Sequence, residues 1–128
     1  LDFGHWSAHK LEQLTDFRVL HGEAVAMGIA LDTIYSVESG RLSMDKAERV
    51  IQLLLKLGFE VTHPLLQFEK ENNEVLEGLQ EFREHLGGRL TIMLLKDIGE
   101  GEEVHEMDTS LLIKASDFLR SHNYEISA

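Results

Sequence analysis

The chain has no cysteine. Disulfides and thiolate metal sites are therefore excluded, and any metal would have to be taken by imidazole, carboxylate and water. Proline occurs once, at Pro64. Basic residues are scarce: 12 Lys and Arg stand against 23 Asp and Glu, for a net charge of −11. A surface of that sign repels phosphates overall, which argues against nucleic acid and anionic membranes as partners. A small phosphorylated ligand responds to local charge and stays open. No apolar run approaches the ~20 residues that a membrane-spanning helix needs. There is no glycine-rich nucleotide loop, no nucleophile–histidine–acid order, no repeat and no low-complexity tract.

What remains is the balance of a soluble globular protein, with 43% hydrophobic and 27% charged residues in 128. One compact domain is expected, able to bury roughly two-thirds of its unfolded surface. An acidic, cysteine-free chain without a signal peptide fits the cytoplasm. The first residue is Leu1, and the opening residues read as the inside of an element, so a fragment of a longer protein is expected.

Hydrophobic periodicity predicts a mainly α fold with one short β-hairpin. A helical pattern covers 4–15. The strongest helix is 21–39, where Ala24, Val25, Met27, Ala30, Leu31, Ile34 and Tyr35 recur at helical spacing. Its small residues, Ala24, Ala26, Gly28 and Ala30, let another backbone approach closely, and Gly40 ends it. Ser43 opens a third helix that runs to about Leu57 and stops at Gly58. Residues 64–72 read as a loop or short helix, and 73–85 as helix. The run Leu90–Leu95 favours a strand, Gly99–Gly101 a turn, and Glu103–Met107 a returning strand. Asp108 and Ser110 are candidate N-caps for a last helix to about Ser121.

The chemistry concentrates at the start. Three of the seven histidines, His5, His9 and His21, fall within seventeen residues. His5 and His9 are one helical turn apart on one face, and His21 opens the next patterned segment. Three imidazoles on two neighbouring helices make a candidate metal or catalytic site. Spacing alone favours His5 and His9 as the ligand pair. Gly4 and Gly22 leave space beside His5 and His21. Glu23 reads as a ligand, as a partner orienting an imidazole, or, by itself most simply, as a favourable charge in a first helical turn. His63 and His122 read as surface residues, and His105 as lining one face of a strand. The segment Phe82–Arg89 gathers cations, including Arg83 and His85, that would suit an anion such as phosphate, or simply a helix C-terminus. Arg18, Arg41 and Lys10 are lesser candidates.

These residues carry a resemblance. FGHWSAHKLE followed by LHGEAVAMG resembles the C-terminal metal-binding domain of 3-dehydroquinate synthases and related sugar phosphate cyclases, and the later GGRLTIMLLKDIG is similar to that family's hairpin. The resemblance implies that His5 and His21 are two zinc (or cobalt) ligands and that His9 faces substrate, against the pairing that spacing favours. It implies a third ligand, a glutamate upstream of this segment, and an NAD-binding N-terminal domain, neither of which this chain holds. The chain alone is then expected to bind metal weakly and to catalyse nothing. The implied whole is a homodimeric lyase acting on a phosphorylated sugar: NAD oxidises a hydroxyl, phosphate is eliminated, the carbonyl is reduced, and the ring reopens and closes as a carbocycle.

Three positions depart from the family pattern. Asp2 stands where an asparagine is usual beside the substrate, and is a candidate catalytic and specificity residue that would accept a hydrogen bond from a hydroxyl. Phe82-Arg83-Glu84 replaces an aspartate followed by two lysines, leaving Arg83 and His85 as the candidate phosphate contacts. Trp6 is bulkier than the usual residue. Together they resemble the divergent cyclases found with secondary-metabolite genes. A metal-dependent polyol dehydrogenase and a non-catalytic binding relative are the alternatives.

Overall fold

The computed structural model describes residues 5–16, 18–63, 66, 92–97, 100–104 and 107–121. Within them lie α1 (His5–Leu14), α2 (His21–Glu38), α3 (Met44–Lys56), β1 (Ile92–Asp97), β2 (Glu100–Val104) and α4 (Thr109–Ser121). The described residues are mainly helical with one two-stranded antiparallel sheet, as the periodicity predicts.

The second helix, α2, is the centre of the molecule. It packs against α1, α3, α4 and β1. Every residue from Ala30 to Ser36 is buried, so this stretch of the helix has no solvent face. The small residues Ala24, Ala26 and Gly28 before that stretch are buried as well, whereas α3 buries a single stripe, Ala47, Ile51 and Leu54. The first helix, α1, inserts Ala8 and Leu11, and α4 inserts Leu112, Ala115 and Leu119, both at helical spacing, into the same core.

Both α2 and α3 end in the same way. Gly40 has φ +79° and Gly58 has φ +90°. The Gly40 N–H donates to Val37 O at 3.0 Å and the Arg41 N–H to Ser36 O at 2.8 Å. Gly58 and Phe59 repeat that pair on Leu55 and Leu54, each at 3.0 Å. These are Schellman closures, which need a residue in the left-handed region at the turn. At the start of α3, the Ser43 hydroxyl accepts from the Lys46 N–H, as expected of an N-cap.

The hairpin is displaced from its expected position. The first strand begins at Ile92 and runs to Asp97; Leu90 and Thr91 lie outside the described residues. The returning strand begins at Glu100, three residues before the expected start at Glu103, and is described to Val104; His105 and Glu106 lie outside the described residues. The register pairs Ile92 with Val104 and Leu94 with Glu102, with an irregularity between Leu95 and Asp97. This register puts Leu94 and Val104 on the buried face, and that burial outweighs the poor strand propensity of Glu100–Glu103.

Of the two proposed caps for the last helix, Asp108 is the one used. Its Oδ1 accepts from the Ser110 N–H at 2.9 Å and from the Ser110 hydroxyl at 2.6 Å. Those two bonds hold the exposed Asp108 carboxyl below its ordinary range. Ser110 lies inside the helix. Two contacts fasten α2 and the turn after it to the C-terminal elements: the Tyr35 hydroxyl accepts from the Asp108 N–H at 2.8 Å, and the Arg41 Nε donates to Glu102. The expected loop at 64–72 and helix at 73–85 lie outside the described residues, apart from Leu66, which is buried.

Candidate functional site

The site is built where α1 hands over to α2. Thr15 organises the reversal: its N–H and hydroxyl both donate to Leu11 O, at 3.1 and 2.9 Å, and its hydroxyl oxygen accepts from the Val19 N–H at 3.4 Å. Asp16 takes φ +53°, the left-handed conformation that a short polar side chain tolerates. The chain thus turns back, and the first residue of α2 returns beside the second half of α1.

That residue is His21. Its Nδ1 lies 2.6 Å from Glu12 Oε1. The Glu12 side chain is 12% exposed and the imidazole 67% exposed. An ionised carboxylate can only accept, so a proton on Nδ1 is the arrangement that makes this contact a hydrogen bond. In the neutral ring the lone pair is then on Nε2, the nitrogen a metal would take. A ligating imidazole is ordinarily held in this way, by a carboxylate on its other nitrogen. The geometry of His21 therefore fits a metal ligand. Gly22, next to it, is exposed, and a Cβ there would meet no atom within 4 Å, so the space expected beside the ring is present.

Glu23 takes the simplest of its three readings. Its Oε1 accepts from the Leu20 N–H at 3.0 Å, half of a capping box, since the Leu20 side chain has nothing with which to reciprocate. It serves the start of α2.

His5 and His9 both lie on α1, one turn apart, and α1 packs on α2, which is the two-helix arrangement expected from the sequence. Their side chains, and Asp2, Arg83, His85, His105 and His122, lie outside the described residues. Among the described residues no group of three or more histidines and carboxylates is gathered closely enough to hold a metal. Arg41 is engaged with Glu102 and has a structural role. His63 differs from expectation. It is half-buried, and lines an open cleft of about 490 Å³ with Leu14, Thr15, Asp16, Arg18 and Val19.

Glu12 was not among the candidates read from the sequence. It follows His5 by seven residues and His9 by three, so all three share one face of α1. That stripe was the available signal. The contact with His21 was not visible, because it joins two helices.

The fold and the site together define a helical domain with a histidine-bearing helix pair at one end. The sequence model of the family described as 3-dehydroquinate synthase C-terminal matches residues 1–81, and the chain belongs to that family. Curated relatives include a 3-dehydroquinate synthase of Dictyoglomus turgidum, 31% identical over 89% of this chain and 31% of its own length. Another, from Clostridium perfringens, is 34% identical over 79% of this chain and 28% of its own length. A 2-epi-5-epi-valiolone synthase of an Actinomyces species is 31% identical over 94% of this chain and 30% of its own length. The chain thus spans about a third of the length of the curated relatives it matches. Among solved structures, ValA, a 2-epi-5-epi-valiolone synthase from Streptomyces hygroscopicus subsp. jinggangensis 5008 with NAD+ and Zn2+ bound, aligns with a TM-score of 0.86 over 95% of this chain and 33% of that one. At 24% identity the alignment establishes the shared fold.

Proposed function

We propose that this chain is the metal- and substrate-binding helical domain of a sugar phosphate cyclase, a lyase that uses NAD and a divalent metal, zinc or cobalt. The observation that carries the reading is the carboxylate on His21 Nδ1, within the segment that matches the family. In this reading residues 1–128 are one domain, and an NAD-binding domain and a third ligand come from elsewhere in a longer, homodimeric, cytoplasmic protein.

His5 and His21 would hold the metal, one from each of the two packed helices. A bound metal would supply Lewis-acid polarisation of a substrate hydroxyl or carbonyl, and NAD would supply reversible hydride acceptance. His9, one turn beyond His5, would meet the substrate on the same helix face. Asp2 would accept a hydrogen bond from a substrate hydroxyl, and Arg83 and His85 would contact the phosphate. The relatives include both dehydroquinate and valiolone synthases at 31% identity, so the substrate class is a phosphorylated sugar, with the particular sugar open between them.

The test uses the complete protein loaded with metal and NAD. It is offered 3-deoxy-arabino-heptulosonate 7-phosphate and, separately, sedoheptulose 7-phosphate. Phosphate release without net NADH is expected, with a loss of at least about 100-fold in His5→Ala and His21→Ala, since each removes a metal ligand. Accumulating NADH would mark a polyol dehydrogenase. A cellular role that survives loss of both imidazoles would mark a non-catalytic relative.

A further inference from the structure

The proposed function uses the Glu12–His21 contact as a sign of a ligating imidazole but does not say what the carboxylate does for the metal site. We propose that Glu12 is a positioning residue: it holds the proton of His21 on Nδ1 and so presents Nε2 as the metal-binding nitrogen. The inference rests on the reading of His21 as a ligand, and three observations carry it.

The first is the contact itself. At 2.6 Å the Glu12 Oε1–His21 Nδ1 contact is shorter than an ordinary N–H···O hydrogen bond, and bonds to an ionised acceptor are shorter than neutral ones. The second is the difference in burial. The carboxylate is only 12% exposed while the imidazole is 67% exposed. Removing a carboxylate from water is costly unless it gains a partner, so its inward position is stabilised by the bond to Nδ1. The ring is held at Nδ1, and most of the imidazole surface stays exposed. The third is placement. Glu12 lies on the helix stripe that carries His5 and His9, and it reaches across to the first residue of α2. One carboxylate therefore ties the two helices from which the histidines project.

The chemistry follows from the imidazole. A free neutral histidine favours the proton on Nε2, which would occupy the nitrogen needed for a metal at that position. A carboxylate on Nδ1 reverses the preference and fixes the ring plane at the same time. Glutamine at position 12 keeps the size of the side chain, but its amide can turn to donate instead of accept. The tautomer would then no longer be fixed, even in a fully folded protein.

The experiment uses the complete protein, metal-stripped and labelled with 15N-histidine. The His21 signals are identified by their loss in His21→Ala. Two quantities are read for wild type, Glu12→Gln and Glu12→Ala: the His21 tautomer from its imidazole 15N shifts, and the affinity for Co2+ from its visible absorption. Wild type should show the proton on Nδ1. Glu12→Gln should show mixed tautomers and Glu12→Ala mainly the Nε2–H form, with Co2+ binding weakened about 10- to 100-fold. The proposal is overturned if the wild-type proton is on Nε2, or if both variants keep the wild-type tautomer and affinity while His21→Ala weakens Co2+ binding; the metal reading then stands without Glu12. If His21→Ala leaves Co2+ affinity unchanged, the ligand reading fails and this inference falls with it.

Discussion

Tyr35 shows what one buried side chain does in this fold. The residue is 3% exposed within the core, and its hydroxyl oxygen accepts from the N–H of Asp108 just before α4 begins. Burial holds the phenol above its ordinary value of 10.0, opposed by the hydrogen bond from Asp108. A group whose value is raised on folding contributes stability that is complete below pH 10.0 and is lost as pH climbs through the folded value. Tyr35→Phe should therefore cost about 1 kcal/mol at neutral pH by urea denaturation, for the lost hydrogen bond. Above about pH 10 the difference between the two proteins should shrink, because only the wild type then loses stability by ionising this phenol. A gap that stayed constant into that range would mean the phenol is not held by burial. The Glu12–His21 contact belongs to the same scale. A histidine at the head of a helix was visible in the sequence as a candidate, but the residue that orients it was not, because nine positions and a chain reversal separate them.

At the scale of elements, ends were more legible than pairings. Glycine after an apolar-periodic run marked the close of α2 and α3, and in both the closure has the expected left-handed residue and its two hydrogen bonds. A Cβ added at Gly40 would meet nothing within 4 Å, so only backbone strain opposes a side chain there. Gly40→Ala should consequently destabilise by about 1 kcal/mol, read as a lower denaturation midpoint with an unchanged slope. A neutral result would show that the turn relaxes out of the left-handed region. The hairpin was less legible. Val104 lies at the end of β2, and the three glutamates and a glycine before it have little strand preference of their own. They pair because β1 is opposite and because Leu94 and Val104 share a buried face, while Arg41 neutralises Glu102.

For the molecule as a whole, stability is expected to be uneven. The stretch Ala30–Ser36 of α2 is enclosed on all sides, whereas α3 contributes one stripe and leaves Leu53, and Leu57 just past its end, more than half exposed. Native-state hydrogen exchange should find the amides of Ala30–Ser36 opening only with global unfolding, and those of α3 exchanging at least about 10-fold faster. Equal protection would mean that α3 and α2 open as one unit. An enclosed central helix suits a domain that must hold a histidine-bearing helix pair still, because α1 is anchored on the same α2 whose first residue is His21.

Local physics, read from the sequence, determined the helical class, the boundaries of α2 and α3 and the concentration of imidazoles at the N-terminus. Each of these depends on residues within a few positions of one another: apolar spacing, a capping hydroxyl, a glycine free to take positive φ. Tertiary structure alone decided the rest. It set the hairpin register, which follows from what the core will bury, and it removed Arg41 from the candidates by pairing it with Glu102 across the fold. It also brought Glu12 to His21, because a contact between two helices is fixed by how they pack, and the spacing within either helix does not contain it.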